Sequence, residues 1–279
     1  MSMRKLGAMA LAAAVLVGGA ATAAEDALRA AIVGPQRSEA LKARDAARHP
    51  YETLSFWGVK PGQTIVEVSP GGGYWTEILA PYAKATGGTY VATATDLDNP
   101  AVTEAQRKGR AAFEARYADE AKFGKVRYVG FGATSKPLGA PGSADMVITA
   151  RNIHNWMWRE GMVDKAMADF YAVLKPGGVL AVEEHRSDPR PQVKDARDGY
   201  VSVASVVAAA EKAGFKLDAA SEVNANPKDT KDHPFGVWTL PPERRSAPQG
   251  QPADPAFDRS KYDAIGESDR MTLRFRKPG

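Results

Sequence analysis

The chain has 279 residues, 44% of them apolar and 25% charged, with a formal net charge of +4 and no cysteine. So slight a basic excess, scattered along the chain, leaves no footprint for nucleic acid or for an anionic membrane. The missing cysteines exclude disulfide stapling, structural thiolate zinc and thiol catalysis, so stability must come from an apolar core.

Arg4 and Lys5 precede an apolar run from Leu6 to Ala21 that is short for a membrane span, and Ala21-Thr22-Ala23 offers small residues to a signal peptidase. The expectation is a secretory signal peptide over residues 1–23, cut after Ala23; a cut after Ala24 and an uncleaved anchor are the alternatives. With no cysteine to carry a lipid, the mature chain is expected in the bacterial periplasm or outside the cell, without stable membrane insertion. What remains suits one α/β domain.

Residues 24–57 read as an N-terminal helical cap: Ala27, Leu28, Ala31 and Ile32 recur at helical spacing, with Leu41 later. The pattern breaks at Arg48-His49-Pro50-Tyr51 and resumes from Glu52 to Trp57. Val59-Lys60-Pro61-Gly62 then leads into Thr64 to Leu79, T-I-V-E-V-S-P-G-G-G-Y-W-T-E-I-L, which organises the rest. Ile65, Val66 and Val68 predict a strand, the three glycines a tight loop, and Trp75, Ile78 and Leu79 a helix. Amides in the first turn of such a helix lack intrahelical partners and suit an anionic or polar group. A dinucleotide fingerprint laid on Gly71 and Gly73 would end on Thr76, where close packing asks for glycine or alanine. Read instead from Glu67 through Ser69, Gly71 and Gly73, the stretch resembles the first motif of class I S-adenosylmethionine-dependent methyltransferases, in which an acidic residue ends strand one and alternating glycines follow. Ser69 stands where that family has its usual first glycine. A glycine turn in some other α/β protein is the alternative.

Beyond Gly87-Gly88, Thr89 to Thr93 predicts strand two, Ala101 to Phe123 one amphipathic helix, and Val126 to Phe131 strand three. Ala144 to Thr149 is a buried strand leading into the loop Ala150 to Trp156, and Arg159 to Leu174 predicts a helix. Lys175-Pro176-Gly177-Gly178 stops it and launches Val179 to Val182; this L-K-P-G-G-V-L passage resembles the same family's connection into strand five. Asp198 to Gly214 predicts the last large helix, with strands at Phe215 to Val223 and Met271 to Arg276. Between those strands lies an irregular, proline-rich insertion at 224–270, either an ordered cap or a mobile flap. The alternation of strand and helix predicts a doubly wound, Rossmann-like α/β sheet over residues 58–279. It is expected to be mostly parallel, with the last strand antiparallel by family resemblance.

The resemblance implies S-adenosyl-L-methionine as cofactor and a small molecule as acceptor. By it, Glu67, Ser69 and the amides of Gly71, Gly72 and Gly73 would hold the cofactor's amino-acid end. Asp96 would hold its ribose, unless it is an ordinary loop aspartate. Family members often place an aspartate after strand three for the adenine; here the chain reads Phe131-Gly132-Ala133-Thr134, so that contact is made by backbone or is missing. Arg48, His49 and Tyr51 would be lid contacts, or a surface loop.

Methyl transfer from a sulfonium asks mainly for in-line positioning, and for a base only where the acceptor must lose a proton. Asn152 and His154 are the candidate catalytic residues, with His154 either that base or a partner for its own loop. Asn155, Trp156 and Tyr74 are candidate acceptor contacts, Trp156 and Trp158 forming either an aromatic wall or half-buried packing. Glu183 and His185 fall on one side of strand five and Glu184 on the other. With His154 and His49 they would make a nitrogen and oxygen metal site, but no two histidines have close ligand spacing, so none is expected; pairing of Glu183 or Glu184 with Arg151 or Arg186 is the alternative. An exported methyltransferase acting on a small molecule is the leading reading; an exported binding protein or inactive relative, using the fold for another ligand, is the alternative. Ser69 as a hydrolase nucleophile is disfavoured, since the glycine before it is missing and Pro70 removes an amide from any oxyanion hole.

Overall fold

A computed structural model describes residues 23–279, so the expected signal peptide, apart from Ala23, lies outside the described residues. Seven strands form one sheet in the order β3-β2-β1-β4-β5-β7-β6. They are β1 (Thr64–Val68), β2 (Thr89–Thr95), β3 (Arg127–Phe131), β4 (Ala144–Ala150), β5 (Leu174–His185), β6 (Lys216–Ser221) and β7 (Arg270–Arg276). All neighbours pair parallel except across β7, which runs antiparallel to both β5 and β6. The α/β Rossmann-like sheet with its reversed last strand is therefore as expected. Among the described residues no helix is long and apolar enough to cross a membrane.

The period of two along each strand assigns side chains to two cores. Val66, Val68, Val147, Leu180 and Val182 face one core, while Ile65, Met146, Ile148 and Ala181 face the other. The second core is covered by a helix over residues 23–33, α1, and by α2 (Glu39–Lys42), α3 (Asp45–Arg48), α4 (Pro50–Trp57) and α5 (Thr76–Thr86). Leu28, Leu54, Trp57, Ile78 and Leu79 fill it.

The helix predicted over 101–123 is two, α6 (Glu104–Arg116) and α7 (Glu120–Phe123). The Asp119 carboxylate accepts from the amides of Ala121 and Lys122, at 3.0 and 3.3 Å, and so caps a new helix where the amphipathic pattern alone would continue the old one. The loop after β4 contains a one-turn helix, α8 (Ile153–Trp156), and α9 starts only at Met162 and runs to Val173. Strand β5 outlasts the predicted Val179 to Val182 at both ends. Ser202 caps α10 (Val203–Lys212), accepting from the Ser205 amide at 3.1 Å, so that helix begins later than Asp198.

The 224–270 insertion folds as a cap carrying α11 (Ser260–Ile265), and polar side chains tie it down. Buried Asn224 donates to Thr53 and Thr272 at 3.0 and 2.9 Å. Buried Asp229 accepts from Tyr200 at 3.0 Å, from the Asp269 amide at 2.8 Å, and lies 2.7 Å from His233 Nε2. These bonds give its buried backbone and side-chain groups partners that water would otherwise supply.

Candidate active site

The chain winds outward from β1 through β2 to β3 and then returns to place β4 on the other side of β1. Loops leaving adjacent strands at such a reversal diverge and open a crevice at the carboxyl edge. Here the diverging loops are those after Val68 and Ala150. Asn152 bridges them, its Nδ2 donating to the Val68 carbonyl at 2.9 Å. Two cavities open there, of about 370 and about 380 Å³, and both are lined by Ser69, Pro70, Gly71 and Asn152.

The first cavity lies over β1 to β3, walled also by Thr93, Ala94, Thr95, Arg110, Phe113 and Phe131. Ser69 adopts φ 50°, a conformation a glycine would take without strain, and its amide donates to Thr93 Oγ1 at 2.7 Å. Gly71 is also left-handed, at φ 57°, and a Cβ on Gly72 would meet nothing within 4 Å, so main chain is open to a ligand at both.

Three residues expected at this cavity stand elsewhere. Glu67 shares a strand face with Ile65 and points under α5, where Tyr90 and Thr76 donate to its carboxylate at 2.5 and 3.1 Å. That burial raises its pKa to about 7. Gly73 returns its amide to the Pro70 carbonyl at 3.0 Å, and a Cβ on it would come within 1.8 Å of the Tyr117 hydroxyl oxygen. It is there for packing. Asp96 accepts from the Asp98 amide at 3.2 Å and turns toward Gly130, where a Cβ would lie 2.8 Å from its Oδ1. In this structure it makes the contacts of a loop aspartate, directly after the end of β2 at Thr95.

The second cavity lies under the cap and includes Arg44, Tyr74, Arg151, His154, Asn155, His185, Trp238 and Pro241 among its walls. Tyr74 contributes a ring face only, since its hydroxyl donates to Asp45 at 2.6 Å. Trp156 is a correction: it packs against Phe131 and Phe170, centroids 5.6 and 5.8 Å away, within the first core. The aromatic wall is instead Trp238 beside His154, at 5.9 Å, with Trp158 against Trp238 at 5.8 Å. The expected lid residues are spent elsewhere too. Arg48 is buried against Glu267, His49 lies 3.5 Å from Asn224, and Tyr51 stacks under Arg29. Leu41 and Arg44 line the cavity in their place.

His154 is buried, and its Nδ1 lies 2.9 Å from Glu184 Oε1. Glu184 Oε2 accepts the amides of Ile153 and His154 at 2.7 and 3.3 Å, and Oε1 also accepts the His185 amide at 2.8 Å. A carboxylate from β5 thus caps α8 and orients the histidine within it. His185 stands beside His154, ring centroids 5.2 Å apart, and burial pushes its pKa well below the usual histidine value. His154, Glu184 and His185 each bring a ligand atom within 4.8 Å of the others, although no sequence spacing announced it. Three backbone amides and His154 Nδ1 crowd the Glu184 carboxylate, an arrangement that orients the histidine.

Below this pair lies a knot of charge. Glu267 meets Arg44 Nε at 2.6 Å, Arg48 Nε at 3.1 Å and Arg270 Nη1 at 2.6 Å, while Arg270 Nε is 2.9 Å from Glu183. Arg44, Arg110, Trp238 and the cap prolines have no sequence signal as site residues, whereas Arg151 lies in the loop after β4 that the sequence places at the ligand edge.

Residues 66–182 match the family model of a methyltransferase domain. The ubiquinone/menaquinone biosynthesis C-methyltransferase UbiE of Legionella pneumophila (strain Corby) is 28% identical over 148 residues, 53% of this chain and 53% of that protein. The chain therefore matches about half the length of such curated relatives. Among solved structures, the cyclase SpnF superposes with a TM-score of 0.55 at 16% identity, covering 88% of this chain and 86% of that one. A proposed sarcosine dimethylglycine methyltransferase from Galdieria sulphuraria gives 0.53 at 13% identity, covering 86% and 91%. At those identities the two structures speak for the fold alone; the domain match supports a methyltransferase as the enzyme class.

Proposed function

We propose that this chain is an S-adenosylmethionine-dependent methyltransferase whose cofactor occupies the cavity over β1 to β3 and whose acceptor, a small molecule, occupies the one under the cap. The observation that carries this reading is the shared wall: Ser69, Gly71 and Asn152 border both cavities, so a group leaving one is presented to the other.

The residues present fit that cofactor. A volume of about 370 Å³ suits a nucleoside. Gly71 leaves main chain open to the amino-acid end, with Gly72 beside it on the wall of the second cavity, and the β2 end from Thr93 to Thr95 offers hydroxyls and backbone in place of an acid. The bound cofactor would supply a methyl group already activated on sulfur. The chain's own residues position the acceptor and handle its proton. Asn152 is fixed by Val68 and by Thr149, 3.3 Å away. With Nδ1 of His154 held by Glu184, Nε2 is left as the basic nitrogen, able to take a proton from an acceptor O–H, N–H or acidified C–H. Trp238, Leu240 and the Pro241-Pro242 pair give the cavity an apolar wall from the cap.

Calorimetric titration with S-adenosylmethionine and S-adenosylhomocysteine tests the reading: micromolar binding is expected and should vanish in Gly71→Val. A folded protein that gives no heat with either would overturn it. Export belongs to the same proposal and is supported by the basic and then apolar residues before Ala23. Mass analysis of the chain recovered from the periplasm of an expressing bacterium should find the residues up to Ala23 removed; an intact chain held in the cytoplasm would refute export.

A further inference from the structure

Arg151 follows β4 directly, in the left-handed conformation at φ 59°, and lines the acceptor cavity. Its Nε is buried with no hydrogen-bond partner, and among the described residues no carboxylate lies within 4 Å of the guanidinium. Every other arginine around it is paired: Arg44, Arg48 and Arg270 share Glu267, and Arg270 also meets Glu183. Glu267 and Glu183 are engaged by those three arginines, Glu243 lies elsewhere on the wall, and His185, held neutral by burial, adds no further positive charge. Of the two arginines on the cavity wall, Arg44 is held by Glu267 and Arg151 has no such partner among the described residues. Arg151 as a whole is half-buried, and a guanidinium whose Nε is withdrawn from water without a counter-charge is costly unless a ligand completes the pair. Desolvation, with Arg270 and Arg44 nearby, lowers the Arg151 pKa against the pull of Glu183 and Glu267.

We propose that Arg151 is the recognition point for a carboxylate-type oxyanion on the molecule bound in this cavity, held by the planar fork that suits such a group. The charge of the ligand follows from the arginine alone; its identity rests on the methyltransferase reading. Two molecules could bring the oxyanion, namely an acidic acceptor or the cofactor through its amino-acid carboxylate. Trp238, on the same wall, suits an acceptor carrying an aromatic ring.

Calorimetry on wild type, Arg151→Gln and Arg151→Lys separates these cases with three probes: S-adenosylhomocysteine, 5′-methylthioadenosine, which lacks the amino-acid end, and benzoate added to protein saturated with S-adenosylhomocysteine. Loss of a charged hydrogen-bond partner should weaken the relevant probe about tenfold or more in Arg151→Gln, with Arg151→Lys recovering part of it. An effect on benzoate alone assigns the oxyanion to the acceptor. An effect on S-adenosylhomocysteine but not methylthioadenosine assigns it to the cofactor. Arg151→Gln removes an unpaired charge, so its thermal midpoint should equal or exceed that of the wild type. Folded variants that bind all three probes as the wild type does, or failure of wild type to bind benzoate together with unchanged S-adenosylhomocysteine affinity in Arg151→Gln, would overturn the proposal. Benzoate binding that depends on Arg151 in a protein indifferent to both nucleosides would uphold the anion site while removing the methyltransferase reading; for that outcome the benzoate titration is repeated on the unsaturated protein.

Discussion

The Glu184 carboxylate grips His154 twice, through the ring at Nδ1, 2.9 Å away, and through the backbone amide at 3.3 Å. A histidine so held has one tautomer and one orientation. If His154 is the base, Glu184→Gln should lower kcat by about a hundredfold, the scale of general-base catalysis, and leave S-adenosylhomocysteine affinity within about threefold. The double variant with His154→Ala should be no slower than His154→Ala alone. Additive losses in kcat would show that the two do not act as a unit. Glu184→Ala should also unfold more easily, by about 2–4 kcal/mol in denaturant melts, because it strands the amides of Ile153 and His154.

Glu67 makes stability depend on pH in the direction opposite to a salt-bridged acid. Its pKa is raised from 4.5 to about 7 by burial, so between those values the native state holds more protons than the unfolded chain. Unfolding free energy therefore falls as pH rises through that window, by roughly 3 kcal/mol in all. Glu67→Gln cannot lose the proton, and its stability relative to wild type should improve by an amount of that order between pH 4.5 and 7.5. A difference between the two proteins that stays constant across the window would refute this.

The glycines of the loop separate packing from binding. Gly73→Ala must push a Cβ into Tyr117 from a left-handed backbone, at 1.8 Å from the hydroxyl oxygen, and should cost about 2–4 kcal/mol of stability. Gly72→Ala meets nothing within 4 Å and should melt within a degree or two of wild type. Thermal melts of both, with and without S-adenosylhomocysteine, check the contrast; equal destabilisation would mean that Tyr117 yields freely.

What was legible in the sequence was what local pattern specifies. Ile65, Val66 and Val68 against Gly71 to Gly73 announced the strand and its turn, and L-K-P-G-G-V-L announced the entry to β5. The same pattern could not say which face Glu67 would take relative to the ligand, because alternation fixes faces only once the covering helices are known. Trp156 and Trp158 looked alike as neighbours in the chain, yet one turn of helix sends the first into the core and leaves the second 40% exposed beside Trp238. That turn exists because Glu184, thirty residues further on, caps it, a contact made only when β5 pairs with β4. The roof of the cavity was hidden for a similar reason: nothing local in a proline-rich insertion marks Trp238 as lying over His154.

Asp96 and Thr93 make opposite claims on the cofactor cavity. An acidic residue near the end of β2 was expected to take the ribose, but the Asp96 carboxylate is turned into its own loop, against Gly130 and the Asp98 amide. Thr93, two residues inside the strand, lines the cavity and fixes Ser69 by accepting its amide at 2.7 Å, holding that residue at φ 50°. Asp96→Ala should consequently leave S-adenosylhomocysteine affinity within about threefold, whereas Thr93→Val strands a backbone amide and loosens the turn that both cavities share, weakening binding about tenfold. Ser69→Gly should stabilise the turn by about 0.5–1 kcal/mol by relieving a left-handed backbone, and partly rescue Thr93→Val when the two are combined. Calorimetric affinities for the four proteins decide the matter: a large loss in Asp96→Ala would mean that the carboxylate swings back to the ribose when the cofactor binds.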